Sequence, residues 1–582
     1  MLFVDIETND IKATKIWCVC AKDLDGNSYE WRRDVTFEGL QEVLDSYDKI
    51  SFHNGIGFDI PILKNILNIN IDQDKVVDTL VLSRLANPSK EGGHSLKAWG
   101  EYLGNYKGDY NNWLFLTDEM VAYCHQDVEV TIQTYKHLIK VLKGFSPKSI
   151  NLEHEVQWII QEQIRNGVLF NEEKAYILLG KLLEKQIILK DEVQQVFIPL
   201  PTPIREVQPK YKKDGSLSIV GLKALENPLK TVQGAFTLIE FKEFNLGSRQ
   251  QIAQYLIRFG WKPKDFTDKG NIIIDESVLA KVKDIKEALL IKEYMLVSKR
   301  ISAINGKKKS NGTGGGWLTH INSDGRIHGN VNTCGAVTGR MTHSSPNMAQ
   351  VPSISSPYGK ESRELFIVSK NYKLVGCDAS GLELRMLAHY MNDEKYTNTI
   401  LTGDIHTANQ NAAGLPTRDM AKTFIYGFLY GAGDAKIGEI VGKGAKEGKK
   451  LKETFLNNTP ALKILRDKVL VASERGYLKG LDGRKLHVRS THAALNVLLQ
   501  GGGAIVMKKA LALVYKYSKE ENLDFKLVLN IHDEWQCEVK EEDSIRFGEL
   551  SVKAIKDAGD YFNFRCPLDG EYKIGDSWYD TH

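Results

Sequence analysis

Lys373-Leu-Val-Gly-Cys-Asp-Ala-Ser-Gly-Leu-Glu-Leu-Arg385 begins as an apolar run, a pattern typical of a buried strand with Asp378 at its end. Phe525-Lys-Leu-Val-Leu-Asn-Ile-His-Asp-Glu534 predicts a second such strand, with Asp533 at its end. Carboxylates at strand ends are rigidly held, and two of them facing one cleft can bind two Mg²⁺ ions roughly 3.5–4 Å apart. Either aspartate alone would more often be a turn or cap residue, so the hypothesis depends on their surroundings.

A third stretch, Arg418-Asp-Met-Ala-Lys-Thr-Phe-Ile-Tyr-Gly-Phe-Leu-Tyr-Gly431, has the pattern of a helix. Arg418, Lys422 and Tyr426 are spaced i, i+4 and i+8, so they lie on one stripe. Two cations and a ring on one face suit a triphosphate and a base, although the stripe could also be a solvated basic face. The predicted buried side consists of Thr423, Phe424, Ile425 and Leu429.

A separate set of acidic residues begins near the N-terminus. Asp5 and Glu7 share one face of a predicted strand, because strand side chains alternate with period two. Asp59 supplies a third carboxylate, and Tyr123 and Asp127 stand one helical turn apart. Four acids and a phenol suit two-metal phosphodiester hydrolysis. An isolated Asp-x-Glu would be weak support, since surface strands often carry it.

Composition limits the classes of protein. A chain of 582 residues predicts about three to five domains. A net charge of +3 neither demands nor excludes nucleic acid. No apolar run approaches the ~20 residues of a membrane span, and the N-terminus lacks signal-peptide features. Seven scattered cysteines without a C-x-x-C pattern indicate reduced thiols in a cytosolic setting and argue against a structural zinc site.

Three of these motifs carry a family resemblance. Asp-Ala-Ser-Gly-Leu-Glu-Leu-Arg, Arg-x-x-x-Lys-x-x-x-Tyr-Gly-x-x-Tyr-Gly and His-Asp-Glu occur in this order and resemble motifs A, B and C of family A DNA polymerases. They are most similar to those of the replicative polymerases of T-seven-like bacteriophages. The likeness extends over nearly the whole chain, including residues 338–341, 346–352, 403–407 and 492–500. The acidic set resembles the Exo I, II and III motifs of DEDDy-type exonucleases.

This resemblance implies an α/β and α+β multidomain fold, in which an RNase H-like 3′-5′ exonuclease domain precedes a right-hand polymerase domain. The palm sheet is expected to be antiparallel and built from two separated segments. The expected boundaries are 1–146 for the exonuclease domain, 147–320 for the thumb with a short insertion at 198–245, 321–400 and 485–582 for the palm, and 401–484 for the fingers.

The family also implies roles for single polymerase residues. Asp378 and Asp533 would bind the catalytic metals, with the Ala379 carbonyl assisting and Glu534 in support. Glu383 would exclude the ribose 2′-OH, the group that distinguishes RNA from DNA building blocks. Contacts with the incoming dNTP are implied for His406, Arg418, Lys422, Tyr426 and Tyr430, and Lys422 could protonate the leaving pyrophosphate. Contacts with primer–template DNA are implied for Arg340, Asn347, Asn496, Gln500 and His532.

In the exonuclease domain, the resemblance implies an active proofreading site. Tyr123 would orient the attacking water, and the metals would be bound by Asp5, Glu7, Asp59 and Asp127. Two Mg²⁺ ions are expected in each active site, with Mn²⁺ able to substitute. Some relatives carry Phe where this chain has Tyr426, whose hydroxyl can replace a missing 3′-OH, so we predict weak discrimination against dideoxynucleotides.

The implied activity is template-directed DNA synthesis with 3′-5′ proofreading, replicating phage DNA by nucleotidyl transfer from dNTPs onto a primer 3′ end. The implied partners are primer–template DNA, dNTPs and a replisome helicase–primase, and the chain is expected to be a monomer in the cytoplasm of an infected bacterial host. In the phage relatives, a long thumb insertion binds host thioredoxin as a processivity factor. Here residues 198–245 are shorter, with seven basic against five acidic residues, which does not favour thioredoxin.

Several alternatives remain open on the sequence. Residues 198–245 would either contact duplex phosphates directly or form a solvated β-hairpin. The lysines of 443–452 would either steer template or form a solvated face. The rival functions are a single-subunit RNA polymerase, a DNA-binding scaffold with a silent site, and a repair polymerase of low processivity. Glu383 and the exonuclease motifs count against the first rival, and the intact acids count against the second.

Overall fold

The computed structural model of this chain describes residues 1–208, 210–216, 218, 234–267, 269–282, 284–308 and 314–582. The chain forms two compact units, each with its own hydrophobic core. The larger comprises Met1–Asn171 and His320–His582, and the smaller comprises Glu172–Thr319.

The larger unit begins with a five-stranded mixed sheet. Its elements are β1 (Leu2–Thr8), β2 (Ile16–Asp23), β3 (Ser28–Arg32), α1 (Leu40–Asp45), β4 (Ile50–Phe52), α2 (Asp59–Leu67), β5 (Val76–Asp78), α3 (Thr79–Ala86), α4 (Leu96–Leu103) and α5 (Asp118–Val141). The strand order is β3-β2-β1-β4-β5, and β1 is antiparallel to β2 but parallel to β4. Val4 packs in the core on one face and Phe3 packs with α5 on the other, so both faces of β1 are covered by the protein. This is the sheet expected of an RNase H-like domain.

Helix α6 (Pro147–Asn166) and strand β6 (Val168–Phe170) follow in the same unit. We predicted this helix as part of the thumb, residues 147–320; in the structure it belongs to the larger unit, and the smaller unit begins at Glu172. The physical reason is that Leu152, Val156 and Ile160 of α6 are buried in the main core of the larger unit.

The smaller unit contains α7 (Glu172–Val196), β7 (Leu200–Val207), β8 (Phe236–Lys242), α8 (Arg249–Arg258), α9 (Glu276–Ala280) and α10 (Lys286–Asn305). Strands β7 and β8 form an antiparallel pair with Leu200 opposite Lys242. Residues 198–245 therefore include the stem of a β-hairpin. Residues 209, 217 and 219–233 of that insertion lie outside the described part of the chain.

The remainder of the larger unit carries the second large sheet. The strands of this part of the chain are β9 (Arg326–Ile327), β10 (Asn330–Asn332), β11 (Thr342–Ser344), β12 (Phe366–Ile367), β13 (Tyr372–Ala379), β14 (Tyr477–Lys479), β15 (Lys485–His487), β16 (Phe525–Ile531), β17 (Glu534–Lys540) and β18 (Gly570–Gly575). Strands β16, β17, β13 and β18 form one antiparallel sheet in that order. It joins two segments far apart in sequence, as expected of the palm.

Helices make up most of the chain between the two sequence segments of this sheet, and others precede or follow it. They are α11 (Gly359–Arg363), α12 (Leu382–Met391), α13 (Glu394–Thr402), α14 (Ile405–Ala413), α15 (Arg418–Leu429), α16 (Asp434–Glu439), α17 (Ala445–Asn458), α18 (Pro460–Ser473), α19 (Ala494–Glu520) and α20 (Ser544–Tyr561). Among the described residues, one helical stretch, Thr491–Glu520, is long and apolar enough to cross a membrane. Its apolar window is 83% buried inside the protein, which is what the core helix of a folded domain shows.

A buried group of four charges joins α6, the β14–β15 hairpin and α19. Arg484 pairs with Asp482 at 2.6 Å and also contacts Glu153, which accepts a further bond from Lys508. All four side chains are no more than 2% exposed. Burial would raise the pKa of Glu153, but Lys508 and Arg484 lower it below its ordinary value. The group is neutral overall, which is what makes its burial tolerable.

We predict that Glu153→Gln lowers the free energy of unfolding by about 3–5 kcal/mol, because two buried cations lose their shared partner. Urea denaturation at pH 7 measures the change. Because the folded pKa of Glu153 is depressed, its contribution is complete above the ordinary carboxyl value of 4.5 and is lost as the pH falls through the lower folded value.

The matched control is Glu155→Gln on the exposed face of the same helix, which should change stability by less than about 1 kcal/mol. Equal effects of the two substitutions would contradict the role assigned to the buried charges.

Two candidate active sites

The two strand-end aspartates of the large antiparallel sheet lie at the same end of its strands, which we call the aspartate edge. Asp378 lies at the end of β13, and Asp533 lies in the two-residue turn between β16 and β17. The Ala379 N–H donates to the Asp533 carbonyl at 3.1 Å, which ties the two strand ends together. His532 in the same turn has a φ of +60°, a conformation that costs a non-glycine residue about 1 kcal/mol or more. The turn is therefore held in place by its surroundings.

The pKa values of three carboxylates at this edge, those of Asp378, Asp533 and Glu534, are shifted in different directions. Asp378 is open to solvent, yet the protein around it and the neighbouring Asp533 raise its pKa to about 7. Burial and then Glu383 raise the pKa of Asp533. Burial would also raise the pKa of Glu534, but hydrogen bonds from His582, Trp578 and Gln536 lower it. Both Glu534 oxygens are engaged by protein groups, so this side chain supports the edge rather than facing outward.

The predicted stripe on α15 is present. Arg418 and Lys422 are exposed and Tyr426 is half-buried, while Phe424, Ile425 and Leu429 are buried. Thr423 was expected on the buried side, and this was wrong: it is exposed next to Lys422, and its hydroxyl donates to the Asp419 carbonyl.

Asp404 fixes the geometry at the N-terminal end of this stripe. It caps α14 by accepting the N–H groups of His406 and Thr407, and it pairs with Arg418 at 2.6 Å. These bonds hold the pKa of Asp404 far below its ordinary value. The His406 ring lies 6.4 Å from that of Tyr426, and partial burial followed by Arg418 and Lys422 lowers its pKa. One carboxylate thus positions the helix start and the cationic side chain together.

Glu383, at the start of α12, connects the stripe to the aspartate edge. The Tyr430 hydroxyl donates to its Oε1, and Arg340 lies 3.5 Å from the same oxygen. Tyr430 is 44% exposed, and its ring is 6.3 Å from that of Tyr426. The structure therefore links His406, Tyr426, Tyr430 and Glu383 in a row, and Glu383 lies close enough to Asp533 to raise the pKa of that carboxyl.

The residues expected to contact DNA are less closely grouped. Arg340 and His532 line a small cavity beside Asp533, together with Asn530 and Lys508. Asn347 accepts the Ala349 N–H, so its side chain is already used to start a 3-10 turn. Asn496 and Gln500 lie one turn apart on α19, and the buried Asn496 Oδ1 has no hydrogen-bond partner within the described part of the chain.

The acidic set of the N-terminal sheet forms a second site. Asp5, Glu7, Asp59, Tyr123 and Asp127 all line one cavity of about 680 Å³. Burial and mutual repulsion raise the pKa of Asp5 well above its ordinary value and that of Glu7 to about 9. Burial also raises the pKa of Asp59 to about 7 and that of Asp127 to about 6. Because these buried carboxylates repel one another, a cation bound between them would stabilise their charged forms.

Lys107 is the residue of this second site that sequence reasoning missed. Its ammonium group bonds Asp127 and lies 4.6 Å from the centre of the Tyr123 ring. It comes from an irregular stretch between α4 and α5, where a single lysine gives no sequence signal. Although burial opposes this, Asp127 and Asp5 raise the pKa of Lys107. The other Asp127 oxygen, Oδ1, is buried without a hydrogen-bond partner among the described residues, and can therefore accept a metal ion.

A strand-end aspartate pair with a cationic helix, together with a separate buried carboxylate cavity, defines an enzyme that joins nucleotides at one site and hydrolyses phosphodiesters at the other. Sequence profiles agree: one described as "DNA polymerase family A" matches residues 222–580, and one described as "3'-5' exonuclease" matches residues 5–143. The chain belongs to DNA polymerase family A. It is a DNA-directed DNA polymerase with an N-terminal 3′-5′ exonuclease domain.

Its relatives include the DNA-directed DNA polymerases of Enterobacteria phage T3, 36% identical, and Escherichia phage T7, 35% identical, with both chains covered completely. Each alignment spans 710 positions against 582 residues here, so the relatives carry segments that this chain lacks. DNA polymerase I of Pseudomonas aeruginosa is 26% identical over 94% of this chain and 58% of its own length. The rival interpretation as an RNA polymerase is therefore excluded.

A solved structure with the same fold is the "POL domain of Pol1 from M. smegmatis complex with DNA primer-template and dNTP". It matches with a TM-score of 0.77, covering 100% of this chain and 95% of that one. The two sequences are 18% identical, so this likeness supports the fold.

We predict that Lys107→Met destabilises the metal-free protein by about 1–3 kcal/mol, because buried carboxylates lose their internal cation. Added Mg²⁺ should then raise the thermal midpoint more in the variant than in the wild type, since the ion replaces the lost charge. Thermal denaturation with and without Mg²⁺ measures both effects.

Lys97→Met is the control, because Lys97 pairs with Asp109 at 2.8 Å on the surface and should matter by less than about 1 kcal/mol. The same Mg²⁺ response in the two variants would rule out the charge-balancing role of Lys107.

Proposed function

We propose that both sites act with divalent metal ions, specifically Mg²⁺ with Mn²⁺ as a substitute. The observation that carries this is the pair of carboxylate clusters whose own charges repel, one of them with an unpartnered buried oxygen on Asp127. Bound ions at each site would activate the attacking oxygen and neutralise charge on the phosphates.

At the synthetic site, Asp378, Asp533 and the Ala379 carbonyl would hold the metals at the edge of the sheet. Arg418, Lys422 and His406 would bind the triphosphate along the exposed face of α15. Lys422 could donate a proton to the leaving pyrophosphate. Support for this arrangement comes from the position of Asp404, which fixes Arg418 and the start of α14 together.

Selection of the nucleotide would depend on Glu383 and on the tyrosines of α15. Glu383 is held by Tyr430 and Arg340, so it would stand as a fixed barrier to a ribose 2′-OH. Tyr426 would contact the sugar and Tyr430 the templating base. Primer–template DNA would be bound by Arg340, Asn347, Asn496, Gln500 and His532, several of them in the minor groove, where every base pair shows similar acceptors.

At the editing site, Asp5, Glu7, Asp59 and Asp127 would hold two metals and Tyr123 would orient the water. Lys107, which bonds Asp127, partly balances the negative charge of these carboxylates. The enclosing cavity has room for a nucleotide at the 3′ end of a single strand.

For the domains, we assign the smaller unit, residues 172–319, to the thumb, 321–400 and 485–582 to the palm, and 401–484 to the fingers. The chain would act as a monomer on phage DNA in the cytoplasm of an infected bacterium, alongside a replisome helicase–primase. The two strands of residues 198–245 would reach duplex phosphates without thioredoxin. Extension of a long single-stranded template under single-encounter conditions tests this, since longer products with thioredoxin would contradict it.

We predict that the two activities separate by mutation. Asp378→Asn should slow primer extension at least about a thousandfold while 3′-5′ digestion of single-stranded DNA continues, because only the synthetic metals are lost. Asp5→Asn should have the reverse effect. Gel assays of extension and digestion with Mg²⁺ measure both activities.

Glu571→Gln is the control for the synthetic site, since Glu571 stands opposite Asp378 on β18 but is exposed. It should extend primers at nearly the wild-type rate. If Asp378→Asn extends primers normally, the metal site has been misplaced.

We also predict that the wild type incorporates dideoxynucleotides readily and that Tyr426→Phe reduces this by about 10- to 100-fold. A hydrogen bond to a charged group contributes about 1.5–3 kcal/mol, which sets that range. Competition between dideoxy and ordinary nucleotides measures the ratio, with ordinary incorporation by the same variant as the control. Rare termination in the wild type that Tyr426→Phe leaves unchanged would refute the role of the hydroxyl.

A further inference from the structure

Three cysteines from distant parts of the sequence meet beneath the exonuclease carboxylates. Cys18 and Cys20 lie on the face of β2 that α5 covers, and they pair with Glu7 and Asp5 of β1, respectively. Cys124 belongs to α5 and packs against the same face. The three sulfur atoms all lie within 4.8 Å of one another. Each of the three residues is 0% exposed. The scattered positions of the cysteines argued against a structural zinc site, and the fold nevertheless brings these three together.

The thiol cluster is continuous with the acidic cavity. Cys124 Sγ lies 3.5 Å from Asp5 Oδ2. Asp5, Glu7 and Cys124 also form a group whose ligand atoms lie within 4.8 Å of one another. Since Asp5 lines the open cavity, an ion entering there would meet the sulfur of Cys124 directly behind the carboxylate.

We propose that Cys18, Cys20, Cys124 and Asp5 form a binding site for a thiophilic divalent ion of the zinc class. A tetrahedral zinc site has Zn–S and Zn–O bonds near 2.3 and 2.1 Å, so its ligand atoms lie roughly 3.5–3.8 Å apart. Asp5 and Cys124 already stand at this separation, and the three sulfur atoms need to move closer to one another by at most about 1 Å. The Asp5 carboxylate has to turn toward Cys18 and Cys20 to complete the set, since it is grouped only with Glu7 and Cys124. Each thiol releases its proton to solvent on binding.

The donor set suits such an ion. Three thiolates and one carboxylate carry the same total charge as the four thiolates of an ordinary structural zinc site. Soft sulfur ligands select zinc over the Mg²⁺ that carboxylates prefer. The simpler alternative is that the three cysteines serve only as small apolar side chains, as buried free cysteines often do.

Occupation of the thiol site has a consequence for editing, which rests on the proposed role of Asp5 as a ligand of the exonuclease metals. An ion held by the three sulfurs takes an oxygen of Asp5 and withdraws it from the exonuclease centre. The zinc-class ion therefore switches editing off, while the synthetic site of the same chain has no cysteine among its proposed ligands.

The binding test uses Co²⁺, which reports thiolate ligation by a charge-transfer absorption band and tetrahedral geometry by its visible bands. We expect the full-length metal-free chain to bind one Co²⁺ with thiolate absorption, and Cys18→Ala/Cys20→Ala to lose that absorption. Cys334→Ala/Cys566→Ala is the matched control, since both of its cysteines are buried but outside the cluster. Primer extension by every variant verifies folding.

Absence of thiolate absorption in the folded wild type overturns the proposal, as does a band that Cys18→Ala/Cys20→Ala retains. The activity test then measures exonuclease activity in Mg²⁺ with and without added Zn²⁺. Zn²⁺ should abolish most digestion by the wild type and leave Cys18→Ala/Cys20→Ala active, whereas equal inhibition of both overturns the switch. A wild type without digestion in Mg²⁺ alone would instead refute the proposed exonuclease function, and the Co²⁺ result would stand.

Discussion

The buried charges of Glu153, Arg484, Asp482 and Lys508 are the constraint on which the arrangement of the larger unit depends. They can be buried only as a neutral group, so α6, the β14–β15 hairpin and α19 must meet at one point. Helix α6 directly follows the exonuclease domain in sequence, and its last residue, Asn166, donates to the Leu527 carbonyl of β16 at 3.0 Å. Strand β16 leads to Asp533. One electrostatic group thus fixes the helix between the two domains and, through it, the strand that leads to Asp533, a proposed metal ligand.

The two active sites handle repulsion between carboxylates in different ways. The exonuclease acids are enclosed and balanced from within by Lys107, whose bond to Asp127 substitutes for metal charge. At the synthetic site, Asp378 stays open to solvent, and hydrogen bonds to Glu534 stabilise that carboxylate in its charged form. An enclosed site suits a single 3′-terminal nucleotide, whereas an open edge is needed where a duplex and a triphosphate arrive together. The difference follows from position: one set lies between a sheet and a helix, the other at a sheet edge.

Local pattern was sufficient for the strands ending in Asp378 and Asp533, for the stripe on α15 and for the placement of Asp5 and Glu7 on one strand face, because period and spacing determine which side chains share a face. The family resemblance then supplied their functional interpretation, which sequence pattern alone left open. What failed depended on contacts between distant segments. Helix α6 looks like any amphipathic helix, and only tertiary packing shows to which unit it belongs. Lys107 and the cysteine cluster were missed for the same reason, since nothing within a few residues of each one reveals its neighbours. Thr423 was different, because its exposed position beside Lys422 and its bond to Asp419 are local features of α15.

Glu383 links two properties of the enzyme that appear separate in sequence. The carboxylate proposed to reject ribose also accepts the hydroxyl of Tyr430, the residue proposed to lie beside the templating base. A change that removed the carboxylate to widen the sugar pocket would release that tyrosine as well. A substitution that allowed ribonucleotides to be incorporated would therefore also weaken the positioning of the templating base. Such an enzyme would copy less accurately from the moment it accepted RNA building blocks, which leaves few viable single steps away from DNA synthesis.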